Sequence, residues 1–209
     1  MGLFKGFLKP MIEVVRDPNR TDSIFRVISH AAVTNQNSYS IVLEHMSKDR
    51  KTEELIASRY LGEWNIEALS ELPKNTLGHR YAKHMIDNGL DPDFFPKLET
   101  STAHAWLQMR SRQTHDIWHA VTGFSTSVVD ETGLQAFNYA QLRSPASVVI
   151  IAMFLLHAAL FKREILAEMV DAVSRGWTMG KAAKPLFGEK FEDEWTTDLG
   201  VYRQRLNLA

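Results

Sequence analysis

The chain has 209 residues, with 24 Lys and Arg against 25 Asp and Glu, eight histidines and no cysteine. At roughly 100–200 residues per domain it reads as one domain over 1–209, long enough to bury a core. A net charge of -1 speaks against a nucleic-acid partner, and the absence of cysteine excludes disulfides, thiolate zinc sites, iron–sulfur clusters and cysteine nucleophiles. Any metal must be held by nitrogen and oxygen.

Residues 1–16 place Phe4, Phe7, Leu8 and Met11 near helical spacing, with Lys5 and Lys9 between them. The run is too short and too often interrupted for a signal-peptide core, and Gly6 does not suit a myristoylation motif. Two roles stay open: a helix docked on the body, and a membrane-surface helix that presents Phe4, Phe7 and Leu8. Residues 20–48 predict two short helices or one broken one. A helix follows Pro73, carrying Leu77, Tyr81, Met85 and Ile86, with Gly89 as its stop. Residues 90–96, with two prolines, predict a loop. Residues 103–121 predict a long helix, 122–126 a break, and 127–142 the next helix.

Ser144 as cap and Pro145 in the first turn start an apolar helix that runs through Val173. Its most apolar part, 148–161, is shorter than the about 20 residues needed to cross a membrane, and it contains His157. Gly176 and Gly180 interrupt the pattern, Pro185 and Gly188 mark a turn, and 191–206 reads as a mixed helical segment. The helical period dominates. The predicted fold is all-α, a single-domain multi-helix bundle with a long apolar central helix.

The chemistry concentrates in His115-Asp116-Ile117-Trp118-His119, followed by Glu131. On a helix His115 and His119 lie about 40° apart on one face, and Asp116 lies within roughly 60° of His119 on the other side. If the break at 122–126 returns the next helix antiparallel, Glu131 comes back beside them. Two imidazoles and two carboxylates suit Zn²⁺, Fe²⁺ or Mn²⁺. The same spacing also occurs on an ordinary polar helix face. A His-Glu-x-x-His zinc peptidase is a weak competitor, because the intervening acid here is Asp116.

His115-Asp116-x2-His119-x11-Glu131 resembles the signature of the Coq-four family of ubiquinone (coenzyme Q) biosynthesis proteins. Leu72-Pro73 followed by Leu77-Gly78-His79-Arg80-Tyr81 is similar to another family segment. So are Arg112, Gly123, Gly176-Trp177, Leu186-Phe187 and Glu192-x-x-Trp195, so that the likeness covers about residues 20–206. Phe191 stands where many members have Trp. The resemblance implies an all-α fold with a divalent metal on His115, Asp116, His119 and Glu131, and catalysis through that metal. It implies a role in ubiquinone biosynthesis at a membrane surface, with an apolar groove for an isoprenoid tail. Two roles have been read for the family. One is removal of the ring C1 carboxylate with installation of a hydroxyl; the other is a scaffold for the other biosynthetic proteins. The eukaryotic members carry a mitochondrial leader and this chain starts almost at its first helix. The resemblance therefore implies a bacterial cytoplasmic protein, peripheral on the inner membrane. Expected partners are a prenylated quinone precursor or other isoprenoid lipid, other quinone-biosynthesis proteins and a second copy in a homodimer.

Four residues are candidates for the lipid or its head group: Met109, Arg112, Met153 and His157. The plainer readings are core packing for the methionines, a solvated charge for Arg112 and a hydrogen-bonded core histidine for His157. Arg110, Lys162 and Arg163 also qualify for a head group, or as solvated charges at helix ends. His79 and His84 are five apart, which is poor for one face, so neither is assigned a site.

Overall fold

The computed structural model describes residues 2–34, 36–92, 94 and 99–208, and the side chains of these except 2–5, 31–34 and 36–39. Eleven α-helices occur among the described residues: α1 (Gly2–Arg16), α2 (Thr21–Thr34), α3 (Gln36–Met46), α4 (Arg50–Ser58), α5 (Ile66–Ser70), α6 (Leu77–Asp87), α7 (Ala103–Thr122), α8 (Val128–Leu142), α9 (Pro145–Phe161), α10 (Leu166–Ala182) and α11 (Leu199–Arg205). Two 3₁₀ turns, Arg163–Ile165 and Phe191–Asp193, complete the order. The fold class is all-α, as the periodicity predicts. Of the loop expected at 90–96, Asp93, Phe95 and Pro96 lie outside the described residues.

The chain forms two compact units. The first joins Met1–His45 to Ser127–Lys181, and the second joins Met46–Thr126 to Ala182–Ala209. In the first unit α1 packs on α2 and α9, and α8 packs on α9. Val14, Val27, Ile150, Met153, Phe154, Ala158 and Met169 form its core, with Phe7 and Met11 against it. Phe7, Met11 and Val14 follow helical spacing, so one stripe of α1 faces inward. Leu8 and Ile12 remain exposed, and the side chain of Phe4 lies outside the described residues. Glu13 ties α1 to α2 by accepting from Ser23 Oγ (2.8 Å) and Arg26 Nη2 (2.7 Å). The Ser23 bond, aided by the Arg26 charge, holds the Glu13 carboxyl below the usual carboxylate range.

The expected long central helix differs from what forms. Helix α9 has 17 residues and ends at Phe161 instead of running through Val173. Lys162 breaks it with φ -144, and α10 starts only after a 3₁₀ turn. The sequence at the break holds neither Pro nor Gly, so it carries no local stop signal. Pro145 sits in the first turn as expected, but Ser144 makes no side-chain cap bond. Helix α9 is also only partly buried: Val148, Leu156, Leu160 and Phe161 are exposed. No helix among the described residues is long and apolar enough to cross a membrane.

Gly176 and Gly180 do not interrupt a helix; α10 runs through both. They mark close packing against α8. A Cβ on Gly176 would overlap the carbonyl of Gly133, and one on Gly180 would stand 2.9 Å from the carbonyl oxygen of Phe137. Gln141 Nε2 donates to the Gly180 carbonyl at 2.7 Å, and Tyr139 stacks on Trp177. Arg143, which ends α8 at φ 56, lays its guanidinium over the Trp177 ring at 5.3 Å.

In the second unit α6 packs on α5 and α7, with α4 and α11 also against α7. Thr76 caps α6 by accepting from the His79 N–H. Backbone bonds from Leu77 to Thr197 and from Gly78 to Trp195, both 2.9 Å, then dock the start of α6 on the C-terminal segment. A Cβ on Gly78 would stand 3.0 Å from the Trp195 carbonyl oxygen, so the close approach needs glycine. Tyr81 stacks on Trp195 at 5.5 Å and accepts from Trp64 Nε1 at 3.2 Å. The segment predicted as mixed over 191–206 resolves into a 3₁₀ turn and the short α11.

Candidate metal centre

Helix α7 carries the centre. Thr102 caps it at one end by accepting from the Ala105 N–H. At the other, Gly123 takes φ 83 and its N–H returns to the His119 carbonyl at 2.9 Å. This left-handed stop turns the next residue back, and the Phe124 carbonyl oxygen lies 2.9 Å from His119 Nδ1. A carbonyl only accepts, so Nδ1 holds a proton, and in the neutral ring the lone pair is then on Nε2. A hydrogen bond of this kind is how a protein orients a metal-binding imidazole.

His115, Asp116 and His119 each offer one ligand atom, and these atoms lie within 4.8 Å of one another. The two imidazoles meet edge to face with centroids 4.9 Å apart. His119 is buried, and His115 and Asp116 are half-buried. Burial raises the Asp116 carboxyl pKa, and the imidazoles of His84, His115 and His119 more than offset it. The carboxyl therefore ends below the usual range and is ionised at neutral pH. One imidazole oriented by a backbone carbonyl, a second beside it and an ionised carboxylate form a fitting donor set for a borderline divalent ion.

Glu131, the fourth residue of the motif, lies on α8 in the other unit. There its carboxylate accepts from Gln135 Nε2 at 2.8 Å. The structure thus brings together three of the four motif residues, and Glu131 is placed only within its own unit. Arg112 and Met109 lie half-buried on α7. Met153 and His157 belong to the first unit. Met153 is 1% exposed in its core, and His157 Nδ1 pairs with the Val15 carbonyl at 2.9 Å.

Two expectations need correction. Arg110 is neither a solvated charge nor available to a head group. It is fully buried, with Nη1 2.7 Å from Glu192 Oε1 and Nη2 donating to the Glu189 carbonyl. Tyr60 and Phe191 cover its guanidinium. His84 is not a bystander either. Its ring stacks on His119 with centroids 5.1 Å apart, and its Nε2 lies 3.9 Å from Asp116 Oδ1. The available signal was its position three residues after Tyr81 and next to Met85, on the buried face of α6. Comparing it only with His79 obscured that face.

Residues 7–209 match the family model for the coenzyme Q (ubiquinone) biosynthesis protein Coq4. A mitochondrial ubiquinone biosynthesis protein COQ4 from Eremothecium gossypii is 28% identical over 148 residues, covering 69% of this chain and 45% of that protein. A mitochondrial COQ4 homolog from Anopheles gambiae is 24% identical over 199 residues, covering 92% of this chain and 68% of that one. The chain thus spans about half the length of several curated relatives that it matches. A crystal structure from Nostoc punctiforme PCC 73102, provisionally described as a ubiquinone biosynthesis protein, superposes with a TM-score of 0.85. Its identity is 28%, over 98% of this chain and 97% of that one.

Proposed function

Because the chain belongs to the Coq4 family of coenzyme Q (ubiquinone) biosynthesis proteins, we propose that it works there as a divalent-metal-dependent enzyme. Its reaction removes the C1 carboxylate of a prenylated benzoate ring and leaves a hydroxyl in its place. The observation that carries this reading is the convergence of His115, Asp116 and His119. Zn²⁺, Fe²⁺ or Mn²⁺ bound there would supply a Lewis acid for a carboxylate oxygen or water, and the redox-active Fe²⁺ or Mn²⁺ would also supply a centre for dioxygen. The chain's part is to orient His119 through the Phe124 carbonyl and to present Asp116 as an anion. For the ring to balance, the bond from C1 to the carboxylate breaks, CO₂ leaves and a C1–O bond forms. With dioxygen as oxidant, its second oxygen leaves as water on two electrons from an external reductant.

The test starts from the metal content of the purified protein beside His119→Ala, where the variant is expected to lose the ion. Metal-loaded protein is then given oxygen, a reductant and a prenylated precursor labelled in its carboxylate. Labelled CO₂ should be released by the wild type and fall at least about 100-fold in His119→Ala, more than about 2.7 kcal/mol of barrier. Equal metal content in both proteins, or no CO₂ from metal-replete wild type, would overturn the enzymatic reading.

One observation favours a second reading. Val148, Leu156, Leu160 and Phe161 of α9 are exposed, an apolar surface of the kind that binds lipid or protein. It supports a non-catalytic isoprenoid-binding scaffold that organises other quinone-biosynthesis proteins. That reading expects prenyl lipid and those proteins to co-purify with the chain, with no turnover. Both readings put the chain at a membrane surface, where a prenylated ligand resides.

A further inference from the structure

We propose that the groove between α1 and α2 binds the phosphodiester of an anionic membrane lipid, with Lys9 and Arg26 as its cations. The groove lies wholly within the first unit, and the proposal does not depend on the metal reading above.

The groove has a volume of about 370 Å³ and is lined by Gly6, Lys9 and Pro10 of α1 and by Arg26, Ser29 and His30 of α2. Both triplets follow the i, i+3, i+4 spacing of one helix face, so two faces meet across it. Gly6 sets the approach: a Cβ there would stand 2.8 Å from both Cε1 and Nε2 of His30. Phe7 stacks on the same imidazole, with centroids 6.4 Å apart. Arg26 is held from one side. Its bonds to Glu13, Asp22 and Ser23 Oγ all use Nη2, and Nη1 and Nε make none among the described residues. Glu13 and Asp22 thus fix the guanidinium without occupying its other edge. Lys9 and Ser29, both exposed, add an ammonium and a hydroxyl. A guanidinium edge, an ammonium and a hydroxyl around one open space fit a phosphate, whose oxygens accept from each of them.

The surroundings favour a lipid as the source of that phosphate. Leu8 and Ile12 lie one turn apart on α1 and are 48% and 44% exposed. Lys9 lies about 60° from Ile12 around the helix, and Arg16 about 40° from it on the same side. A helix that seats Leu8 and Ile12 among acyl chains holds Lys9 and the mouth of the groove at the level of the phosphates. The charge agrees: residues 1–30 carry five Lys and Arg against three Asp and Glu, although the whole chain stands at -1.

The test is sedimentation of the full chain with phosphatidylcholine vesicles, with and without phosphatidylglycerol. The proteins are wild type, Lys9→Gln, Ser29→Glu and Arg16→Gln. Each variant changes the net charge by one at an exposed position, so diffuse attraction to the surface falls about fivefold in all three. Ser29→Glu puts a carboxylate into the groove and leaves the bonds of Arg26 in place. Binding to the phosphatidylglycerol vesicles is expected to fall at least about 20-fold in Lys9→Gln and Ser29→Glu, and only about fivefold in Arg16→Gln. Equal losses in the three variants would reduce the groove to part of a diffuse basic surface and overturn the proposal. So would wild-type binding that is the same with and without phosphatidylglycerol. Inorganic phosphate, titrated at constant ionic strength, separates the two sources. If it binds in a Lys9-dependent way while the vesicles do not bind, the groove serves a free phosphate and the lipid assignment is overturned.

Discussion

His119 and Phe124 are joined across the end of α7: the imidazole Nδ1 lies 2.9 Å from a backbone carbonyl five residues on. Only the left-handed turn at Gly123, φ 83, brings that carbonyl back. The orientation of a candidate ligand therefore depends on a residue with no side chain. Gly123→Ala is expected to cost about 1–2 kcal/mol in backbone strain. That is roughly 2–4 °C of melting temperature per kcal/mol for a chain of this size. It should also weaken Zn²⁺ or Co²⁺ about 10-fold by releasing the ring, which a titration of both proteins will show. Unchanged affinity would mean that the carbonyl does not set the imidazole.

Arg110 and Glu192 form a buried pair, at 0% and 9% side-chain exposure. Removing one partner leaves the other charge uncompensated, so Arg110→Met should cost about 3–5 kcal/mol in urea unfolding. Arg110→Met with Glu192→Leu should recover much of that loss. A double variant no better than the single one would contradict the pairing account.

Gly176→Ala tests the contact of α10 with α8. The added methyl would meet the Gly133 carbonyl, and a helix backbone yields less readily than a side chain. Overpacking of this type costs about 1–3 kcal/mol. Gly200→Ala is the comparison with a smaller expected loss, since its Cβ meets only a side-chain atom, the capping Asp198 Oδ1, at 3.1 Å. Equal urea midpoints for the two variants would refute the close approach.

Asp198 caps α11. It accepts from the Val201 N–H at 3.0 Å and from Asn75 Nδ2 at 2.7 Å. These bonds, the Val201 one first, hold its carboxyl below the ordinary value of 3.8. The unfolded chain then takes up the proton more readily than the folded one. The stabilisation is complete above that value and is lost as pH falls through the lower folded one. Urea midpoints of wild type and Asp198→Asn should differ at pH 7 and converge at pH values below about 3.8. A gap that is constant with pH would assign the cap to its geometry alone.

The bounds of the motif helix, 103–121, and of the next, 127–142, were legible because their signals are local: Thr102 and Ser127 cap the two helices and Gly123 stops the first. The helical spacing of His115, Asp116 and His119 was legible for the same reason. What the sequence left hidden is tertiary. The end of α9 at Phe161 has no Pro or Gly to announce it. Gly176 and Gly180 read as interruptions because a glycine that weakens an isolated helix looks the same as one that lets another helix approach. Helices α4 and α5, of nine and five residues, are too short to show a clear period. Arg110 reads as a surface charge until the partner 82 residues on is known. His84 stacks on His119 through the packing of α6 on α7, which no spacing within α6 reveals.

Arg143 stops α8 in a conformation that glycine enters without penalty, yet it keeps a side chain that covers Trp177. A change to glycine would relieve the backbone by about 1–2 kcal/mol and forfeit cation–π contacts with Tyr139 and Trp177 of about 0.5–1 kcal/mol each. The two changes nearly cancel. A laboratory library at residue 143 selected for stability should therefore return both arginine and glycine.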